Sequence, residues 1–68
     1  MLKKEDISNF TINGLRAICA HNRDIISSYN YKTRLETSNL LIEALDNNHI
    51  VQIPKFIYND KKLIKKGH

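Results

Sequence analysis

Two short apolar stripes at helical spacing, held apart by a polar stretch, constrain this chain more than any other feature. The first holds Ile12, Leu15, Ile18 and Cys19; the second holds Leu41, Ile42 and Leu45, with Leu40 and Ala44 alongside. Both follow the spacing of a helix that buries one face. A buried face needs a core to pack into, and 68 residues make one small domain. A domain of this size buries only about 60% of the surface its unfolded chain exposes. One compact core fits. A deep enzymatic cleft with its own supporting shell does not, because too few residues remain to build it.

The local signals set the expected boundaries. A first helix is predicted over Thr11 to His21, with Thr11 as N-cap and Phe10 stapled to Leu15 across the entry. Gly14 in its first turn costs up to about 1 kcal/mol relative to alanine, which an invading side chain or a close-packed neighbour would explain. The preceding "KKEDIS" reads as a short leading turn with Ile7 and Phe10 inward. A loop over residues 22–36 follows, anchored by Ile25 and Ile26. A second helix is predicted near Thr37 to Asn47, capped by Thr37 or Ser38, with Glu43 and Asp46 facing water. Asp46-Asn47-Asn48 is its stop, since asparagine tolerates the left-handed conformation that ends helices. Two parts are expected: a helical module over 1–48 and a C-terminal arm over 49–68.

The arm has a different pattern. "HIVQIPKFIYNDKKLIKK" is rich in Ile, Val, Phe and Tyr, with Pro54 in its middle. Proline lacks the amide hydrogen a central strand needs. A hairpin around Asn59-Asp60 and an extended, partner-dependent arm both fit. A lone two-stranded ribbon is marginal in water.

Conventional chemistry is not spelled out. Cys19 is the only cysteine, which excludes an internal disulfide, and within "AICA" it reads as a small buried hydrophobe. His21, His49 and His68 lie far apart, and no HExxH, GxSxG or glycine-rich phosphate loop occurs. Glu36 and Glu43 could share a helical face, but no partner group suggests an acid–base pair. No enzyme activity, metal or cofactor is therefore expected. The apolar runs fall far short of the roughly 20 residues a membrane span requires, and the first ten residues contain no apolar signal core. Asn9-Phe10-Thr11 matches a glycosylation sequon, read here as chance. The expected setting is reducing and intracellular, whether cytoplasm, nucleoid, nucleus or virion, with no membrane partner.

Charge placement gives the functional lead. The net charge is +4. Residues 1–48 balance Lys3, Lys4, Arg16, Arg23, Lys32 and Arg34 against Glu5, Asp6, Asp24, Glu36, Glu43 and Asp46. The arm sets Lys55, Lys61, Lys62, Lys65 and Lys66 against Asp60 alone, so the whole excess lies there. Such tails meet polyanions, or else only keep a chain soluble. A second cluster, "YNYKTR" (Tyr29 to Arg34), puts aromatic and cationic groups together. Rings that stack on bases and cations that track phosphates are the two grips used on single strands. Its position ahead of a helix adds free N–H groups and a favourable dipole for phosphate. A loop tyrosine also commonly closes a core. Tyr29 is expected inward, leaving Tyr31, Lys32 and Arg34 outward.

The stretches "FTINGLRAICAHN" and "IISSYNYKTRLETSNLLIEAL" resemble the helix–extended-loop–helix class that includes SAP domains and the N-terminal domain of the Rho terminator. Thr11, Leu15, Arg16, Ile18, Ile26, Tyr29 and the run Leu41-Ile42-Glu43-Ala44-Leu45 carry the likeness, over about residues 10–46. Two departures stand out. Ser27-Ser28 replace the glycine usual before the loop aromatic, and Thr37-Ser38-Asn39 replace the usual leading cation of the second helix. The cationic duty then moves back to Lys32 and Arg34. The resemblance implies a small helix–extended-loop–helix module, mainly α, that binds nucleic acid, DNA ahead of RNA.

The expected function is non-catalytic nucleic-acid binding with weak sequence preference. Arg16, Tyr31, Lys32, Arg34, Thr37 and Ser38 form the loop-side contacts; Lys55, Lys61, Lys62, Lys65 and Lys66 form the arm. The alternative is a structural or adaptor subunit of a larger assembly, such as a virion, whose "IVQIPKFIY" segment docks on a partner protein by strand addition.

Overall fold

A computed structural model describes residues 1–27, 29–30 and 32–65. The chain is small and mainly helical. In order it forms a 3-10 helix, Lys4–Asn9; helix α1, Ile12–His21; helix α2, Arg34–Asp46; and a second 3-10 helix, Lys55–Asn59.

Helix α1 begins where its sequence signals place it. The Thr11 hydroxyl accepts from the Gly14 amide at 3.2 Å, satisfying one donor that the first turn leaves free. Phe10 and Leu15 are both buried, as are Ile18 and Cys19. Burial pushes the Cys19 thiol up to about 11, which leaves it a packing group with little thiolate at neutral pH. At the other end Asn22 caps the helix and is itself buried. Its side-chain amide donates to the carbonyls of Ile18 at 2.7 Å and Gln52 at 2.8 Å, and its carbonyl accepts from the Gln52 amide at 2.9 Å. One side chain thus stands in for a strand partner and ties α1 to the segment after α2.

Helix α2 starts three residues earlier than the predicted Thr37. Thr33 is its N-cap, and the reason is a capping box: the Glu36 amide donates to the Thr33 hydroxyl at 3.2 Å and the Thr33 amide donates to the Glu36 carboxylate at 3.1 Å. Thr37 therefore lies inside the helix, on the fully buried line it shares with Leu41 and Ala44. Its hydroxyl donates to the Thr33 carbonyl at 2.8 Å. The stop falls as predicted. Asn48 has φ of 65°, its amide donates to Leu45 at 3.0 Å and the His49 amide donates to Ala44 at 3.0 Å, the paired bonds of a Schellman ending.

The C-terminal segment folds back on the helices over its described length. Pro54, with φ of −65°, opens a 3-10 turn in place of a hairpin strand. Ile57 points inward from that turn. Asp60 reverses the chain, its carboxylate accepting from the Lys62 amide at 2.9 Å and its carbonyl from Leu63 at 3.1 Å. Residues 63–65 then lie antiparallel to 9–11: Thr11 donates to Leu63 at 3.1 Å, Lys65 donates to Asn9 at 2.9 Å, and Phe10 pairs with Ile64. Val51, Ile57 and Leu63 join Leu15, Ile18 and Leu41 in one core. The amide of Leu2 donates to Val51 at 2.8 Å, so the N-terminal end is bound to the same segment.

Gly14 is explained by this return. A Cβ at position 14 would lie 2.0 Å from the Leu63 carbonyl oxygen. Helix propensity alone would favour alanine by about 0.8–1.0 kcal/mol, but a backbone atom cannot swing aside as a side chain can. Gly14→Ala is expected to destabilise by about 1–3 kcal/mol, the cost of overpacking, read as a lowered melting temperature in thermal denaturation. A raised melting temperature would mean that propensity wins and residue 63 is not seated there.

Candidate nucleic-acid interface

The loop-side residues divide by direction. Arg16 turns inward: its Nη2 donates to the Lys32 carbonyl at 3.0 Å, and its Nε is buried without a hydrogen-bond partner among the described residues. Arg34, the first residue of α2, donates from Nη1 to the Phe10 carbonyl at 2.7 Å. Both guanidiniums thus brace the loop against the α1 entry. Lys32 is partly exposed. Tyr29 packs against the core, as expected. Tyr31 and Lys66 lie outside the described residues.

The predicted phosphate site at the start of the second helix needs correction. Thr37 is fully buried one turn inside α2, so it presents neither a hydroxyl nor a free amide to a ligand. Ser38 is also inside the helix and only partly exposed. The true N-terminus, at Thr33, is occupied by the Glu36 carboxylate. Hydrogen bonding from the Thr33 backbone, then from its side chain, holds the Glu36 carboxyl below its ordinary 4.5, with the Lys32 charge a smaller contribution in the same direction. An anion already fills the position a phosphate would take.

The arm lysines point the other way. Lys55, Lys61, Lys62 and Lys65 are exposed. Among the described residues the one ion pair is Lys4 with Asp46, so these four cations carry none. Arg34 and Ile64 both anchor on Phe10, which brings the basic loop and the basic arm to one corner of the molecule.

Tyr58 is the residue the sequence pattern did not single out. Ile57 takes the inward place in the second 3-10 helix, and Tyr58 is left 61% exposed. Three residues per turn align it with Lys55 on the same face. Tyr58 also borders two adjoining grooves, of about 400 and 280 Å³, which share Ile64 and Lys65. Lys61 lines the smaller groove; Asp6 and Asn9 line the larger. No helix among the described residues is long and apolar enough to cross a membrane, and no cluster of His, Cys, Asp and Glu suited to a metal occurs among them. Comparison with protein-family models, with curated proteins and with solved structures finds no match.

Two measurements follow from this geometry. Arg34→Ala is expected to cost about 1.5–3 kcal/mol, the range for a hydrogen bond from a charged group, whereas Lys32→Ala stays within about 0.5 kcal/mol, both by urea denaturation. Glu36 has a folded pKa below its unfolded one, so its capping contribution is present above the unfolded value and is lost as pH falls through the folded one. Glu36→Gln keeps the box but removes the titration. The variant's melting temperature is expected to fall less than the parent's between about pH 5 and pH 3.

Proposed function

We propose that this chain is a non-catalytic nucleic-acid-binding module with weak sequence preference. The observation that carries the reading is the group of exposed cations Lys55, Lys61, Lys62 and Lys65, without an ion pair among the described residues, on a segment hydrogen-bonded to the rest of the fold. Lysine ammoniums are point charges that hold phosphate without reading bases. The likeness of residues 10–46 to helix–extended-loop–helix modules supports the same reading and favours DNA over RNA. Lys32 supplies the loop-side contact. Arg16 and Arg34 act by shaping that loop, since their guanidiniums are engaged by carbonyls.

The adaptor alternative is supported by different residues. Val51 and Ile57 are committed to the chain's own core, which weakens a docking strand built from "IVQIPKFIY". Exposed Leu35, Ile50 and Phe56 would be its contacts instead.

Salt separates the readings. With all five arm lysines, Lys66 included, on phosphate, the log–log slope of affinity for duplex DNA against salt is expected to be about −4 to −5. Each Lys→Ala change should lessen that slope by about 0.9, measured by fluorescence anisotropy with labelled DNA. A folded protein with no affinity at low salt would sink the nucleic-acid reading and shift the weight to the adaptor.

A further inference from the structure

We propose that the groove beside Tyr58 takes an unpaired base, so that the preferred ligand is single-stranded nucleic acid. This rests on the nucleic-acid reading above, and apart from Phe10 the groove lies outside the stretch that carries the family resemblance. The larger groove is floored by Ile53, Phe10 and Ile64 and walled by Tyr58. Its volume of about 400 Å³ leaves room for a planar heterocycle. Cations flank the ring: Lys55 on the same helical face, with Lys61 and Lys65 along the groove walls.

The placement of the acids sets which part of a nucleotide goes where. Asp6 lines the larger groove, and a carboxylate there disfavours phosphate. The same carboxylate accepts hydrogen bonds from exocyclic amines, and the neighbouring Asn9 side chain offers both donor and acceptor. Asp60 lines only the smaller groove, and one of its oxygens is already held by the Lys62 amide. The base therefore enters against Tyr58 and the phosphates run outside, along the lysines. A paired base inside a duplex cannot present its face to the ring, so stacking selects single strands.

Backbone hydrogen bonds hold the segment that carries the ring. Tyr58 sits between Ile57, buried in the core, and Asp60, whose amide donates to Ile57 at 3.2 Å. Residues 63–65 then pin the far wall against residues 9–11. A segment held this way has no backbone left to order when a base stacks on its ring.

The test uses the full chain with a short labelled single strand and the duplex of the same sequence, titrated at low salt by anisotropy. The single strand is expected to bind more tightly. Tyr58→Ala should weaken it by about 5- to 150-fold, the range for losing one base–aromatic stack, while Tyr58→Phe keeps most of the affinity. Phe56→Ala removes an aromatic of similar exposure that borders neither groove, and should change nothing. Circular dichroism checks that each variant is folded. Unchanged single-strand affinity in folded Tyr58→Ala overturns the stacking site. If Lys61→Ala and Lys65→Ala still weaken binding, the general reading survives that result. Tighter duplex binding, or an equal loss in Phe56→Ala, also overturns the inference. No binding of either probe removes both.

Discussion

The close approach of the Leu63 carbonyl to Gly14 is the contact on which the rest of this fold leans. Without a side chain at position 14, a backbone carbonyl can lie against the first turn of α1 and accept from Thr11. That seat aligns residues 63–65 with 9–11 and puts Leu63 under the helix. Ile57 and Val51 then close the core from the same segment. A chain this short has little apolar surface to spare. Recruiting the last third of the sequence into the core makes two short helices sufficient.

Charge is arranged with the same economy. The arginines with resolved hydrogen bonds, Arg16 and Arg34, spend their guanidiniums on backbone carbonyls of other segments. A planar, weakly hydrated guanidinium tolerates partial burial and makes directional bonds. Lys55, Lys61, Lys62 and Lys65 stay in water, where a compact ammonium is best solvated. Four of the cations behind the net charge of +4 are therefore displayed with no ion-pair partner among the described residues, and the structural work falls to others. The Lys4–Asp46 pair is exposed on both sides and contributes little to stability.

The helices were legible because their signals are local. Thr11, the stripe Ile12-Leu15-Ile18-Cys19 and the Asn48 ending act within a turn or two of themselves. The start of α2 was legible too, in the Thr33-x-x-Glu36 spacing of a capping box, but the apolar run at Leu40 drew the boundary inward. That shift moved Thr37 from a supposed cap to the buried face. What the sequence hid was long-range. Asn22 bonds to Gln52 across 30 positions, and Leu63 reaches Gly14 across most of the chain. Nothing in "FIYNDKKLI" says which apolar residue faces in. Contacts from distant segments, at Asn22 and at Gly14, set the course of the arm in which Ile57 is buried and Tyr58 is not.

The same seat sharpens the choice between the two basic segments. The "YNYKTR" loop has its arginine tied to Phe10 and its helix N-terminus filled by Glu36. Each of these satisfies the loop from within and removes a reason for it to hold phosphate by itself. The arm has the reverse condition: backbone hydrogen bonds tie it at Val51, Gln52, Leu63 and Lys65 to other segments, and among the described residues Lys55, Lys61, Lys62 and Lys65 carry no ion pair. A surface whose main chain is already ordered and whose ammoniums lack partners gains from a polyanion without first having to fold. On these grounds Tyr58 and its lysines, on the segment whose residues 63–65 pair with 9–11, form the stronger half of the proposed interface, and Lys32 extends it across the corner that Phe10 shares.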